Sequence, residues 1–475
     1  MLDRLRPRDL LPFRITRLAD SDGSRADVSG REVRVPGGVP GDSGTLRISH
    51  VGQHAAWGRI ETLEQPSPDR VTPPCPVVER CGGCPWQMVS LSAQMQARLT
   101  TLHGLLDPVT PTARWHEPPG EPRTTGYRTR ALMMTRRKPG GILRFGFFAP
   151  GSHDLVAAEG CIVQHPLVNQ TLEGARSILG RSGITAWRDA EHPGQLRAVL
   201  YRVDPDVGRG LLTLVVTHAE GMVALAEALL DVPGIAGVFA NVNAVEGGPV
   251  LGRDTVHLAG ADRQRVRYGT LELEVGATAF LQTRHDMAGQ MVTAAEALLP
   301  EKMNHLVDLY AGVGVFGLAV RDRAERVTLV ERDPPAVLDA RWNVERLGAA
   351  HVTAIEEDAA GFVSQLAELA PDCVMLDPPR AGCAPAVIEA VAGLPLGAVV
   401  VYASCHPPAL ARDLKRLVDA GFAVTDVVPM DMFPHTPHVE VLVRLERSAD
   451  GASLARSAAV RWAGKRLDAP SDGPP

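Results

Sequence analysis

Apolar residues recur at every second position between glycine-rich breaks across residues 12–62, as in FRITRL, REVRV and TLRISH. Alternation of that period marks half-buried strands, and several short strands with turn residues this close predict a small β-barrel. A proline-rich connection, EQPSPDRVTPP, follows, and LSAQMQARLTTLHGLL then reads as a helix. Between 124 and 285 the pattern is mostly that of strands, as in LRAVLYRV and LLTLVVT, with a helix at VALAEALL. From about 286 short apolar runs alternate with helical segments: LVDLY, RVTLVE, HVTAIEED, PDCVMLD and GAVVVYASC each precede one. That alternation predicts a doubly wound parallel sheet, to which VEVLVRLE adds one antiparallel strand. The expected division is a barrel over 1–65, a mixed α+β central domain over 66–285, an α/β domain over 286–447 and a mobile tail over 448–475.

The 475 residues are 45% hydrophobic and 22% charged, ordinary for a soluble protein of two or three domains. No apolar run reaches the length of a membrane span. MLDRLRPRDLLPFR mixes acids with its arginines and lacks the apolar centre of a secretion signal, so a cytoplasmic protein without a membrane partner is expected. Seven cysteines in such a chain suggest reduced thiols, metal ligands or a nucleophile rather than a disulfide scaffold. Net charge is -6, but it is unevenly spread. Residues 1–150 hold 21 Lys+Arg against 14 Asp+Glu, and the remainder 28 against 41. The basic front is almost all arginine, whose planar fork of donors suits phosphate oxygens.

LVDLYAGVGVFGLAV is a strand, a tight turn and a helix, and Gly312, Gly314 and Gly317 fit G-x-G-x-x-G. A dinucleotide fits that turn through its pyrophosphate. The acids around it suit another ligand. Asp308 ends the strand, where it can hold a cationic amino-acid group; Glu331 ends the next, placed for two ribose hydroxyls; Asp358 follows the third. S-adenosylmethionine, which carries no phosphate, matches that series. Acids at strand ends also serve as helix caps, though three in successive units are less readily explained so. MLDPPRAG then ends the fourth strand, and two prolines stiffen the loop that carries Asp377.

Ligands of open α/β sheets sit at the carboxyl ends of the strands. That edge gathers Gly312, Glu331, Asp358, Asp377 and Cys405, the last in AVVVYASCHPPALARDL. A packing cysteine lies within a strand, as Cys373 does, whereas Cys405 lies past the end of one. The helix opened by Pro407 and Pro408 is expected to favour its thiolate. A thiolate beside a methyl donor suits one chemistry: attack at carbon 6 of a uracil makes carbon 5 nucleophilic, and a base must later remove the carbon-5 proton. Glu440, opening the last strand in DMFPHTPHVEVLVRLE, is a candidate base, with His435 and His438 as rivals. The H-x-x-H pair also raises a metal reading, without further ligands nearby.

CPVVERCGGCPWQ holds Cys75, Cys81 and Cys84, and Cys161 in EGCIVQHP is a plausible fourth ligand. Thiolates so spaced fit zinc or an iron–sulfur cluster, and spacing does not choose between them. YRTRALMMTRRKPGGILRFGFF sets arginines among Tyr127, Phe145, Phe147 and Phe148. Arginine on phosphate and aromatic faces on unstacked bases hold single-stranded RNA, and a hairpin with core aromatics is the plain alternative.

DLYAGVGVFGL, LDPPRAG, YASCHPPALARDL and FPHTPHVE together resemble the S-adenosylmethionine-dependent RNA uracil-C5 methyltransferases, over roughly residues 12–447. AFLQT is similar to the family's F-Q segment, and VPGGVPGD to a turn of the OB-like TRAM RNA-binding barrel. The resemblance implies a Rossmann-like catalytic domain with Cys405 as nucleophile, Glu440 as base and Asp377 on the uracil near the cofactor. Gln282, Tyr310, Glu331 and Asp358 match cofactor contacts. It also implies a [4Fe–4S] cluster on Cys75, Cys81, Cys84 and Cys161. Barrel and cluster together resemble the enzymes acting on 23S rRNA, with a tRNA substrate or a non-catalytic RNA-binding role in ribosome assembly as the alternatives and a monomer as the expected state. Four positions depart from the family: Ala311 for Cys, His406 for Asn, Val315 for a polar residue and Arg284 for Asn. The last two put those cofactor contacts in doubt.

Overall fold

Inward-facing residues of the first strands close the expected barrel. Leu10–Arg17 (β1), Ser24–Asp27 (β2), Glu32–Val35 (β3), Ser43–Val51 (β4) and Ala56–Gln65 (β5) join in the order β1-β2-β3-β5-β4. Phe13, Ile15, Val33, Val35, Leu46 and Ile48 fill its interior. β4 and β5 approach so closely that a Cβ on Gly44 would stand 2.2 Å from the Thr62 carbonyl oxygen, so only glycine fits. Asp42, fully buried, accepts from the Val39 and Ser67 amides and pairs with Arg70 at 2.5 Å, fastening the barrel to the segment that follows.

This computed structural model describes residues 5–19, 23–121, 123–137, 141–189 and 191–448. The expected tail beyond Ser448, and Lys138 of the basic stretch, lie outside them. Contacts divide the chain into two units. The first comprises the chain to Thr101, Arg123–Gly260 and Phe433–His438; the second comprises Leu102–Pro122, Ala261–Met432 and the chain from Val439.

Beyond the barrel, the first unit holds Val78–Cys81 (α1), most of Leu91–Leu106 (α2) and a seven-stranded sheet. The sheet runs Asp254–Gly260 (β13), Ile235–Val242 (β12), Arg209–Val216 (β11), Leu196–Asp204 (β10), Arg130–Arg137 (β7), Leu143–Phe148 (β8) and Leu155–Ala157 (β9). Pro166–Arg181 (α3) and Val223–Leu230 (α4) bury Val168, Leu172, Ala175, Leu179, Ala226 and Leu229 against it. The basic stretch folds as β7 and β8, and two of its aromatics are core. Tyr127 and Phe145 are 5% and 1% exposed, so neither can stack on a base. Phe147 packs partly on the same core, and Phe148 lies under the Arg136 guanidinium, 5.1 Å from ring centre.

In the second unit one sheet carries eight strands: Val352–Glu356 (β18), Ala324–Glu331 (β17), Met303–Leu309 (β16), Cys373–Leu376 (β19), Val399–Ser404 (β20), Glu440–Arg447 (β22), Phe422–Met430 (β21) and Arg114–Trp115 (β6). All run parallel except β22, which pairs antiparallel with β20 and β21. β19 and β20 are buried along their whole length, the mark of a sheet covered on both faces. The helices are His285–Leu298 (α5), Val315–Ala319 (α6), Pro334–Arg346 (α7), Val363–Leu369 (α8), Pro385–Ala392 (α9) and Pro407–Asp419 (α10). This unit begins at 261 because the hairpin of Gln264–Tyr268 (β14) and Leu271–Val275 (β15) is bound to α7. Buried Asn343 exchanges hydrogen bonds with the Glu274 backbone, and Asp339 accepts the Gly276 amide.

Candidate active site

Parallel pairing brings the ends of β16, β17, β19 and β20 to one sheet edge, and antiparallel β22 starts there. The register of β20 on β22 pairs Ser404 with Val441. The next residue outward on each strand is Cys405 on one and Glu440 on the other, so backbone pairing joins two groups 35 positions apart.

Both groups are raised by their surroundings. Burial pushes the Cys405 thiol up to about 11, and the charges of Glu440 and Asp377 add to it, against Arg380. Glu440, 1% exposed, is raised well above the carboxylate range by burial and then by Asp377. Asp377 keeps part of its surface open, yet dense surroundings and Glu331 raise it to about 7. Burial also raises Asp308 to about 8, overcoming a hydrogen bond from Gly317, with Asp377 and Glu331 adding to the rise. Burial and the two acids thus act on the Cys405 thiol in the sense opposite to the one expected of α10.

Around the glycine turn the backbone does the binding. Tyr310, Gly312 and Gly314 all take positive φ, 63°, 56° and 84°. The Gly312 amide donates to Glu331 Oε2 at 3.0 Å, and Glu331 Oε1 accepts from the Arg332 and Asp333 amides at 2.8 Å. The Gly317 amide donates to Asp308 Oδ2 at 2.9 Å, while Asp308 Oδ1, fully buried, has no partner. A Cβ on Gly317 would stand 2.4 Å from Leu329 Cδ2, so α6 can lie this close to β17 only with glycine there. Asp358, exposed beyond β18, accepts from the Ala360 amide and faces Arg332 at 3.4 Å.

Gln282 lies half-buried in the connection from β15 to α5. Two residues on, Arg284 is fully buried, donating to Asp286 and to the carbonyls of Asp431 and Glu121. It ties chain segments together. His435 and His438 belong to the first unit. His435 is buried there, its amide donating to Gln94 Oε1 at 2.8 Å, and His438 meets the Phe433 ring edge-on. Sequence reasoning passed over Cys383, Tyr402 and Asp413, buried together behind the Asp377 loop. One signal was available: Asp413 interrupts the buried stripe of Ala409, Leu410, Leu414 and Leu417 on α10.

All seven cysteines are free. In the first unit, burial pushes Cys84 up to about 12, and Cys161, Cys81 and Cys75 add to the rise while Arg128 opposes it. Cys161 is raised by burial, with Cys81 and Cys75 adding to it. The four sulfurs thus act on one another. Among the described residues, no three or more His, Cys, Asp or Glu side chains stand as ligands of a metal ion.

Residues 261–448 match the model of the tRNA (Uracil-5-)-methyltransferase family. An uncharacterized RNA methyltransferase of Gloeobacter violaceus is 34% identical over 443 residues, covering 90% of this chain and 94% of the relative. Another, of Nostoc sp., is 32% identical over 457 residues, covering 93% and 97%. Among solved structures, the Pyrococcus abyssi tRNA (uracil-54, C5)-methyltransferase in complex with S-adenosyl-L-homocysteine superposes with a TM-score of 0.73 at 23% identity, over 91% of this chain and 99% of that one.

Proposed function

As the chain belongs to the S-adenosylmethionine-dependent RNA uracil-C5 methyltransferases, we propose that it methylates carbon 5 of a uridine in 23S rRNA through a covalent adduct on Cys405. The observation that carries this reading is the β20–β22 register, which sets a thiol beside a buried acid at the sheet edge where ligands bind. The Cys405 thiol gives up its proton to solvent as the site fills, the thiolate bonds to carbon 6 of the flipped-out uracil, and the ring takes up the electron pair as an enolate. Asp377 hydrogen-bonds the ring from the neighbouring loop. Bound at the Gly312 turn, S-adenosylmethionine supplies the methyl group that carbon 5 accepts. Glu440, ionised once the cofactor's positive charge is bound, then removes the proton from carbon 5, the ring double bond re-forms, and the carbon–sulfur bond breaks to return the thiolate. The net change is methyl onto carbon 5 and one proton released.

Gln282, Asp308, Tyr310, Gly312, Glu331, Asp358 and Asp377 are assigned to the cofactor. The partnerless Oδ1 of Asp308 supports an ammonium or a water beside it, and the carboxylate of Glu331 retains acceptor capacity for ribose hydroxyls. The barrel is read as a TRAM domain that, with the arginines of the first unit, binds RNA phosphates. Cys75, Cys81, Cys84 and Cys161 are read as ligands of a [4Fe–4S] cluster that stabilises the first unit.

Transfer RNA is a second reading, favoured by one observation. The Pyrococcus structure, that of a tRNA (uracil-54, C5)-methyltransferase, shares the fold over 91% of this chain. Nucleoside analysis of rRNA and tRNA from cells with and without the gene separates the two.

The mechanism is tested with RNA carrying 5-fluorouridine, whose fluorine a base cannot remove. The protein forms a complex that survives a denaturing gel, Cys405→Ala does not, and Glu440→Gln accumulates adduct on ordinary RNA. Trapping that persists in Cys405→Ala ends the mechanism. Anaerobic purification yields brown protein whose iron is lost in Cys81→Ala; a colourless, zinc-loaded protein overturns the cluster.

A further inference from the structure

We propose that Asp413 and Arg412, on the helix that follows Cys405, are positioning residues that hold the Asp377 loop in register with the nucleophile. The proposal rests on the reading that Cys405 and Asp377 meet one substrate ring.

Residues 377–384 connect β19 to α9, and their far half is tied to α10 at several points. Oδ2 of the fully buried Asp413 accepts the Cys383 amide at 2.9 Å and the Tyr402 hydroxyl at 2.8 Å. Its other oxygen accepts Arg412 Nε at 2.8 Å, and Arg412 Nη2 donates to the Ala381 carbonyl at 2.9 Å. Between them Gly382, at φ 80°, presents bare backbone. A Cβ there would stand 2.5 Å from Arg412 Nη2 and 2.6 Å from Asp413 Oδ2. From the other side Tyr310 of the glycine turn lies near enough to Cys383 and Ala384 for their charges and dipoles to bear on its hydroxyl. The clamp therefore joins the Asp377 loop, the glycine turn and the first turns of the helix that begins two residues after Cys405.

Its chemistry is unlike that of a helix cap or a solvated ion pair. The hydrogen bonds of Asp413 run to the loop, to β20 and to its neighbour Arg412, and a buried carboxylate is retained only where its bonds are fully made. The prolines stiffen the near half of the loop but leave its distance from α10 unset. Asp413 and Arg412 set that distance, and with it where Asp377 stands relative to Cys405. Misplacement of a reacting group by an ångström can cost about 100-fold in rate.

The test uses the full-length chain carrying Arg412→Lys or Asp413→Asn. Lysine cannot bridge Asp413 and Ala381 together, and asparagine turns an NH2 toward Arg412 Nε or toward Cys383. Three quantities are read: hydrogen exchange at Cys383 and Ala384, S-adenosylmethionine titration to count intact sites, and steady-state methylation per intact site. The expected result is exchange at least about 10-fold faster in the loop and kcat lowered about 10- to 100-fold, with KM for RNA within about threefold. Unchanged kcat per intact site means a merely structural role and overturns the proposal. Unchanged exchange shows that the clamp does not hold the loop and overturns it equally. Should Asp413→Asn fail to fold, Arg412→Lys, at a side chain 47% exposed, carries the test. If the unaltered chain fails to trap 5-fluorouridine RNA, the uridine mechanism falls, while the exchange measurement still decides whether the clamp exists.

Discussion

Alkylation of Cys405 reads its protonation directly, because only the thiolate reacts. The thiol stands at about 11 where an unperturbed one is at 9.0. At pH 8 about one molecule in a thousand then carries the thiolate, against about one in ten for an ordinary cysteine, and the two-unit difference is about 2.7 kcal/mol. Burial is the largest cause, Glu440 the next and Asp377 the third. Glu440→Gln keeps shape and removes the second cause. Iodoacetamide labelling, followed by peptide mass spectrometry between pH 7 and 10.5, resolves Cys405 from the other six thiols. In the unaltered protein the logarithm of its rate climbs about one unit per pH unit, with no plateau below about 10. In Glu440→Gln the curve moves to lower pH by up to about one unit, most visibly where Glu440 would itself be ionised. A plateau near 9 in the unaltered protein, or a shift to higher pH in the variant, would refute the claim that buried acids keep this nucleophile protonated at rest.

Stability follows the same acids. Asp308 and Asp377, at about 8 and about 7, and Glu440 are all raised on folding. The contribution of Asp308 and Asp377 is fully present below the unfolded carboxylate values, near about 4, and is lost as pH rises through 7–8, and that of Glu440 falls in the same direction. The melting temperature of the ligand-free protein is therefore higher at pH 5.5 than at pH 8.5 by calorimetry, and Asp308→Asn flattens the difference. Asp42 works oppositely: burial would raise it, but Arg70 and two amides hold it low, so its contribution is lost as pH falls below about 4. Gly317→Ala, which in an open helix would gain about 1 kcal/mol, instead costs about 1–3 kcal/mol by forcing Leu329 aside; it is checked by denaturant midpoint and cofactor titration. Arg284→Leu costs about 1–3 kcal/mol for each of the Asp431 and Glu121 carbonyls left without its donor, read from urea unfolding.

Periodicity carried much of this architecture. α2 and α4 run over LSAQMQARLTTLHGLL and VALAEALL, and β16 to β20 over the apolar runs that announce a parallel sheet. Strand order is not written in those runs. β21, FAVTDVVPM, lacks a clean pattern because Asp426 and Pro429 interrupt it, Asp426 being spent on His116. β6 has two residues and no period at all. The 261 boundary depends on Asn343 and Asp339, polar residues buried on α7 that pattern alone assigns to the surface. That Cys405 and Glu440 meet at one sheet edge was legible because each lies where a strand stops or starts. The state of the thiol was not: a helix terminus is visible in sequence, while the acids that outweigh it come from β22 and the β19 loop. Phe145 shows the same limit in reverse, since alternation does not say which face of β8 is covered.

The raised acids and the raised thiol have one cause, and it orders events at the site. Asp308, Asp377, Glu440 and Cys405 lie where burial disfavours charge, and in the ligand-free molecule protons relieve the repulsion among them. A methyl donor with a sulfonium centre brings positive charge to that edge. The cation does there what protons do in its absence, lowering the cost of ionising each neighbouring group. On the proposed mechanism, Cys405 thereby ionises more readily with the methyl donor bound than in its absence. A low thiol pKa set by α10 alone would have left Cys405 reactive toward any electrophile. The acids that weaken the fold at high pH are thus the same groups that keep the sulfur in reserve.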